Sequence, residues 1–183
     1  PGLGAWPIAR DLGLMNQQHQ TVDHAGRVHV LMWHTTADTL AAVGSAPGRE
    51  RWGPPAARRY FHYWRDLDGT WKRNPLPGPA GTRPRILAAS DDRLFALAVA
   101  PRGDDALARG IYVLRGQLML YEAGPASGWS DWRVRETLPH DVRSEPLFDS
   151  ARWRAEGRLD VLVQDTPSTP GEPSALRVLS FAP

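Results

Sequence analysis

Four of the six histidines stand five residues apart, at His19, His24, His29 and His34. Such regular spacing invites a metal site. In an extended chain, side chains alternate between faces, so an odd separation puts His29 and His34 on opposite sides. His19 falls on a preceding strand and His24 in the turn between the two. No face of that hairpin carries three ligands, so these histidines alone predict no zinc site, although one of them could join ligands from elsewhere.

A second concentration of chemistry is "RYFHYWRDLDGTW" (59–71). Read as a strand, it points Tyr60, His62 and Trp64 one way and Phe61, Tyr63 and Arg65 the other. Aromatic rings on both faces predict a strand covered on both sides. Packing accounts for Phe61, Trp64 and Trp71, and leaves the hydroxyls of Tyr60 and Tyr63 to be explained.

Other chemistries are excluded by what is missing. The chain has no cysteine, hence no disulfide, thiolate metal site or thiol nucleophile. No nucleophile elbow, phosphate-binding loop, dinucleotide fingerprint or HExxH helix is present. The 22 Lys+Arg, all arginine except Lys72, nearly balance 20 Asp+Glu. A net charge of +2 argues against a nucleic-acid surface, which needs a basic footprint. The longest apolar runs, such as "LFALAVA" (94–100), are too short to span a bilayer. No signal peptide is visible, and a chain that starts at Pro1 is expected to have lost a leader or a longer N-terminal region.

The elements that would position these residues follow from an internal repeat. "GRVHVLMWH" (26–34), "DRLFALAVA" (92–100) and "GRLDVLVQD" (157–165) each place an Arg after a turn residue and a Leu four positions later. The arginines are Arg27, Arg93 and Arg158, at offsets of 66 and 65. Each segment follows another strand-like run, "HQTVDHAG", "RILAASDD" and "PLFDSARWRAEG", so each pair reads as a hairpin. Further strands follow, including "GIYVLRG" and "QLMLYEA" in the second unit. The only helical run is "ADTLAAVG" (37–44). Seventeen Gly, seventeen Pro and eight Trp fit many turns and few helices.

A repeat of this length with about four antiparallel strands outlines a β-propeller blade. The expected fold is all-β, with blade units at about 16–77, 82–139 and 143–183. Propellers close with roughly four to eight blades. Barely three are present, which predicts a fragment of a larger propeller whose remaining blades lie outside this chain.

In that alignment "NQQHQ" (16–20), "GTRPR" (81–85) and "RSEPL" (143–147) are equivalent entries to the innermost strands. Gln17, His19, Arg83, Arg85 and Glu145 should then converge at one channel mouth. A histidine, two arginines and a carboxylate suit an anionic, hydroxyl-rich ligand. Arg83 and Glu145 could equally form an ordinary ion pair between blades. "SGWSDW" (127–132) and "DLDGTW" (66–71) match only partly the Asp-box turn of sialidase-like propellers.

The runs "NQQHQTVDHAGRVHVLMWH", "RYFHYWRDLDGTWKRNPLP", "GTRPRILAASDDRLFAL" and "RSEPLFDSARW" together resemble the BNR-4 repeat family of bacterial propellers, across nearly the whole chain. That family includes ulvan lyases and related polysaccharide lyases. The resemblance implies a seven-bladed propeller that cleaves a uronate-containing glycan by β-elimination. It implies His19 and Tyr63 for proton transfer, with Tyr60 as the alternative tyrosine, and Arg83 for the uronate carboxylate. A basic Tyr63 would need a neighbouring arginine to lower its pKa. Tyr60 and Glu145 join Arg83 as substrate contacts. No organic cofactor is implied, and a structural divalent ion is left open. The implied partner is an acidic polysaccharide and the implied location secreted or periplasmic. The same residues allow a non-catalytic glycan-binding propeller, with Trp33, Tyr60 and Tyr63 as stacking platforms. A sialidase-like hydrolase fits less well, because only part of its arginine and Tyr–Glu set is present.

Overall fold

The computed structural model describes residues 6–13, 18–81, 83–101, 116–138, 141–167, 169 and 171–182. Gln17 and most of "GIYVLRG" lie outside the described residues. Among the described residues the chain is all-β apart from two short α-helices and two single 3-10 turns. The first blade is a four-stranded antiparallel sheet of β1 (His19–Val22), β2 (Val28–His34), β3 (Arg59–Arg65) and β4 (Trp71–Pro75), in that spatial order. The second comprises β5 (Arg85–Ala88), β6 (Leu94–Pro101), β7 (Gly116–Ala123) and β8 (Arg133–Thr137). The third holds β9 (Val142–Phe148), β10 (Leu159–Asp165) and β11 (Leu176–Phe181). Among the described residues, the pair Gly116 and Val142 joins the second blade to the third, so that their strands run as one sheet in the order β11-β10-β9-β7-β6-β5 with β8 beside β7.

The repeated Arg–Leu segments are β2, β6 and β10, and their alternation decides how the blades stack. Odd positions after the arginine face the preceding blade: Leu94, Ala96 and Ala98, then Leu159, Val161 and Val163, all buried. Even positions face the following blade: His29, Leu31 and Trp33, then Phe95, Leu97 and Val99, all buried. Two apolar cores result. One joins Leu31, Trp33, Tyr60 and Trp64 to Leu94, Ala96, Tyr121, Trp129 and Trp132. The other joins Phe95, Leu97, Leu118 and Leu120 to Trp153, Leu159, Val161 and Phe181. Burying each Leu side chain contributes about 1.5–3 kcal/mol.

The exceptions lie at the two ends of the stack. Val28, Val30 and Met32 are only partly covered. Leu162, aligned with the buried Leu31 and Leu97, is 36% exposed. Leu147, opposite Leu162 on β9, and Val178, opposite it on β11, are also exposed.

One sequence expectation is corrected. "PLFDSARWRAEG" is not a strand closed by a turn, because helix α2 (Ser150–Glu156) intervenes between β9 and β10. Asp149 caps it by accepting from the Ala151 and Arg152 N–H groups, and Gly157 ends it in the left-handed region. The other helix, α1 (Ala37–Ala42), falls within the run expected, behind a Thr36–Thr39 capping box.

Candidate functional site

His19 lies on β1 with its ring Nδ1 3.1 Å from the Ile86 carbonyl and 3.2 Å from the Ile86 N–H. Its ring also meets Phe148 edge-on at 5.9 Å. It therefore ties the inner strand of the first blade to the second and touches the third. Burial, then the charge of Arg85, lowers its pKa. Arg83 Nε stands 3.1 Å from Glu145 Oε1, and Arg85 Nη2 stands 4.0 Å from Glu145 Oε2. Arg85 Nε also donates to the Pro146 carbonyl. Arg83, Arg85 and Glu145 thus come together across the second and third blades.

The two tyrosines are placed differently. Tyr60 is fully buried between the first two blades, and its hydroxyl accepts from the Gly81 N–H at 3.1 Å. Tyr63 lies on the opposite face of the first sheet from Tyr60. His19 pairs with Leu31, and Leu31 with His62, so His19 shares the Tyr60 face and Tyr63 does not. Tyr63 does not meet His19.

Its hydrogen-bond partners are His34 and Arg73. His34 Nδ1 lies 2.6 Å from the Thr35 carbonyl, which can only accept, so that nitrogen carries the proton. Nε2 is left as the acceptor, and the Tyr63 hydroxyl donates to it at 2.7 Å. Phe61 stacks on the His34 ring at 4.3 Å and 19°. Arg73 faces Tyr63 directly across β3 and β4 and hydrogen-bonds to its side chain. The guanidinium of Arg73 lies 5.0 Å from both the Trp6 and Phe61 rings. Such contacts suit a partly desolvated cation. Trp6, itself 38% exposed, lies over Tyr63. A cavity of about 550 Å³ opens beside this group, lined by His34, Thr36, Asp38, Arg59, Phe61 and Arg73 among others.

Burial holds His34 neutral: desolvation lowers its pKa, the Thr35 carbonyl opposes this, and Arg73 adds to it. Burial raises the pKa of Tyr63 even though Arg73 pulls the other way. An arginine does stand beside Tyr63, but it is Arg73, and it does not make the phenol acidic. The arrangement is a protonated phenol hydrogen-bonded to a neutral imidazole, with a cation alongside. It can give one proton and take another while holding an anion. Period-two reading missed His34 and Arg73. The tight Asp66–Thr70 turn sets the register that pairs residues 63 and 73, and that pairing was available from "DLDGT".

Among the described residues, no three His, Asp or Glu side chains are grouped to hold a metal ion. No helix among them is long and apolar enough to cross a membrane.

Comparison with known proteins adds two findings. Residues 1–77 match a family described as "BNR repeat-containing family member". This segment is similar to that family. It contains His19, His34, Tyr63 and Arg73, whereas Arg83 and Glu145 lie beyond it. The structure also resembles the crystal structure of polysaccharide lyase Uly1, with a TM-score of 0.50 and 12% identity, covering 91% of this chain. At that identity the likeness is one of fold, and it agrees with the propeller blades described above. The chain spans 28% of the lyase's length. No curated protein matches it. Residues 1–77 are therefore the part of the chain that carries both the family match and the tyrosine–histidine pair.

Proposed function

We propose that the chain is part of a carbohydrate-active propeller that cleaves a uronate-containing polysaccharide by β-elimination. The observation that carries this reading is the Tyr63–His34 hydrogen bond beside Arg73, with His34 and Arg73 lining a cavity. Arg73 neutralises the uronate carboxylate, which acidifies the adjacent C5 proton. His34 Nε2 takes that proton, and the C5–H electron pair becomes the C4=C5 double bond. The C4–O bond breaks, and its oxygen receives the Tyr63 proton. Transfer from His34 back to the Tyr63 oxygen, along their shared hydrogen bond, resets the pair. A raised phenol pKa suits the acid and a lowered imidazole pKa suits the base.

In this reading Tyr63 still transfers a proton, as the family resemblance implies, but as the acid and not the base, and His34 and Arg73 take the places implied for His19 and Arg83. Arg83, Tyr60 and Glu145 stand as substrate contacts only in a complete propeller, whose remaining blades would come from outside this chain. A polymeric substrate places such an enzyme outside the cytoplasm, secreted or periplasmic. The test is the rise in ultraviolet absorbance from the unsaturated uronate product, with the complete propeller on ulvan and other uronate polymers. No rise on any of them, from folded protein, overturns the reading.

One observation favours a second reading, a glycan-binding propeller without catalysis. Tyr63 and His34 are only 3% and 1% exposed, so the pair could serve packing alone. Saturable glycan binding with no product, weakened by Arg73→Ala and untouched by Tyr63→Phe, would establish it.

A further inference from the structure

On the opposite face of the first sheet from Tyr63, a chain of hydrogen bonds crosses the seam between the first two blades. Trp132, from the second blade, directs its indole Nε1–H at His62 Nδ1, at 3.4 Å. His62 Nε2 and His29 Nδ1 stand 2.9 Å apart. His29 Nε2 stands 3.2 Å from Asp23 Oδ2. Asp23 is held by Arg27, whose Nε lies 2.6 Å from Oδ2 and whose backbone N–H donates to Oδ1. Both imidazoles are fully buried.

The two ends of the chain give it a single direction. An indole N–H only donates, and a carboxylate only accepts. His62 Nδ1 must therefore be bare and its Nε2 protonated, and the same follows for His29. A further proton on either ring has no acceptor. It would set two N–H groups face to face, at the 2.9 Å contact or, after a tautomer shift, at Trp132. Neither ring is exposed to solvent, and aromatic rings flank the pair. Trp129 lies 4.7 Å from His29, Trp132 lies 5.5 Å from His62, and Trp64 stacks on His29 at 6.2 Å.

The charged groups around the pair stand on four elements. Asp23, His24 and Arg27 belong to the turn between β1 and β2. Asp92, from the turn between β5 and β6, pairs with His24 at 3.2 Å and Arg27 at 3.7 Å. Lys72 of β4 lies over the outer side of Trp64, 4.4 Å from its ring centre. Asp131, in the loop that bears Trp132, is engaged by Ser127 and the Gly124 N–H. Of these groups only Asp23 touches either of the two buried imidazoles, and Arg27 already neutralises it.

We propose that this seam is an acid-operated latch: the Trp132–His62–His29–Asp23 chain holds the first blade on the second while each imidazole carries one proton, and releases it when they take up a second. The latch is independent of the lyase reading, since it uses none of the residues of that site. Burial lowers the pKa of His29, and lowers that of His62 further, where the neighbouring His29 adds to the effect. Below a pH of about 6.5, the released form then binds more protons than the latched one, so acid favours release.

Nitrogen-15 shifts of the imidazoles, together with unfolding measured against pH, test the proposal. Both rings should be Nε2–H tautomers, and both should stay neutral until the Trp132 indole signal collapses with the seam. The two histidines together should steepen the unfolding constant by about 100-fold per pH unit in the acid limb. His62→Gln offers an amide donor to His29 and an oxygen to Trp132, and should be about tenfold per pH unit less steep. A His62 protonated on Nδ1 overturns the proposal. So does either ring titrating in the latched protein with the indole signal unchanged, or an equal slope in His62→Gln. If that variant does not fold, the tautomers and the wild-type indole signal still decide.

Discussion

Leu31 and Leu162 occupy the same position of the repeat, four residues after Arg27 and Arg158, yet Leu31 is sealed between two sheets while Leu162 is 36% exposed. Leu97, the third member of the set, is sealed like Leu31. The difference lies in what covers each residue and not in the strand that carries it.

That contrast sets a stability prediction. Leu97→Ala empties a site between the second and third blades and should cost about 2–5 kcal/mol. Leu162→Ala, made in the same chain, should cost about 1 kcal/mol or less. Chemical denaturation of the two variants checks this, and equal losses would mean that Leu162 is covered in solution.

The tyrosine–histidine pair predicts a division between turnover and binding. Tyr63→Phe removes only the donated proton and should lower elimination by about 10²–10⁴-fold with glycan affinity nearly unchanged. Arg73→Ala should weaken both. Initial rates of absorbance change and a binding isotherm, measured on the same preparations, separate the two effects.

Tyr121 predicts alkaline behaviour. Burial pushes its hydroxyl up to about 12, against about 10 in the unfolded chain. Between those values the unfolded state has lost the proton and the folded state has kept it. Stability should therefore be intact below pH 10 and fall by about 3 kcal/mol as pH rises to 12. Tyr121→Phe should flatten this limb, which urea titrations at several alkaline pH values would show.

Gly53 packs against the side chain of Thr35, whose carbonyl fixes His34. It sits at φ +64°, and a Cβ there would meet Thr35 Cγ2 at 2.5 Å. Gly53→Ala should lose at least about 1–2 kcal/mol from backbone strain alone. The clash bears on Thr35, so elimination should fall beyond what unfolding explains. Thermal melts alongside rates at a temperature where the variant is folded distinguish the two losses.

The blades were legible because alternation and the Arg–Leu repeat are local, and the stacking order follows from them. The face assignments of Tyr60, His62 and Trp64 against Phe61 and Tyr63 were legible for the same reason. Helix α2 was overlooked although Asp149 and Gly157 bracket it, since Leu147 and Phe148 just before it read as a strand. Tyr63–His34 and His29–His62 were hidden for a different reason. Each joins β2 to β3, and the register between them is set across the long segment from Thr35 to Arg58, whose length reveals nothing about pairing. Arg83–Glu145, by contrast, was foreseeable from the aligned entries to β5 and β9.

The strict alternation of β2, β6 and β10 also limits which length changes the gene can tolerate. Inserting a single residue inside "RLFAL" would exchange the two faces of β6, turning Phe95 and Leu97 toward Trp129 and leaving alanines against Trp153. Adding or removing a whole unit of 65 or 66 residues would preserve every such contact. Duplications in this lineage should therefore come in whole blades, and small insertions should collect in the turns.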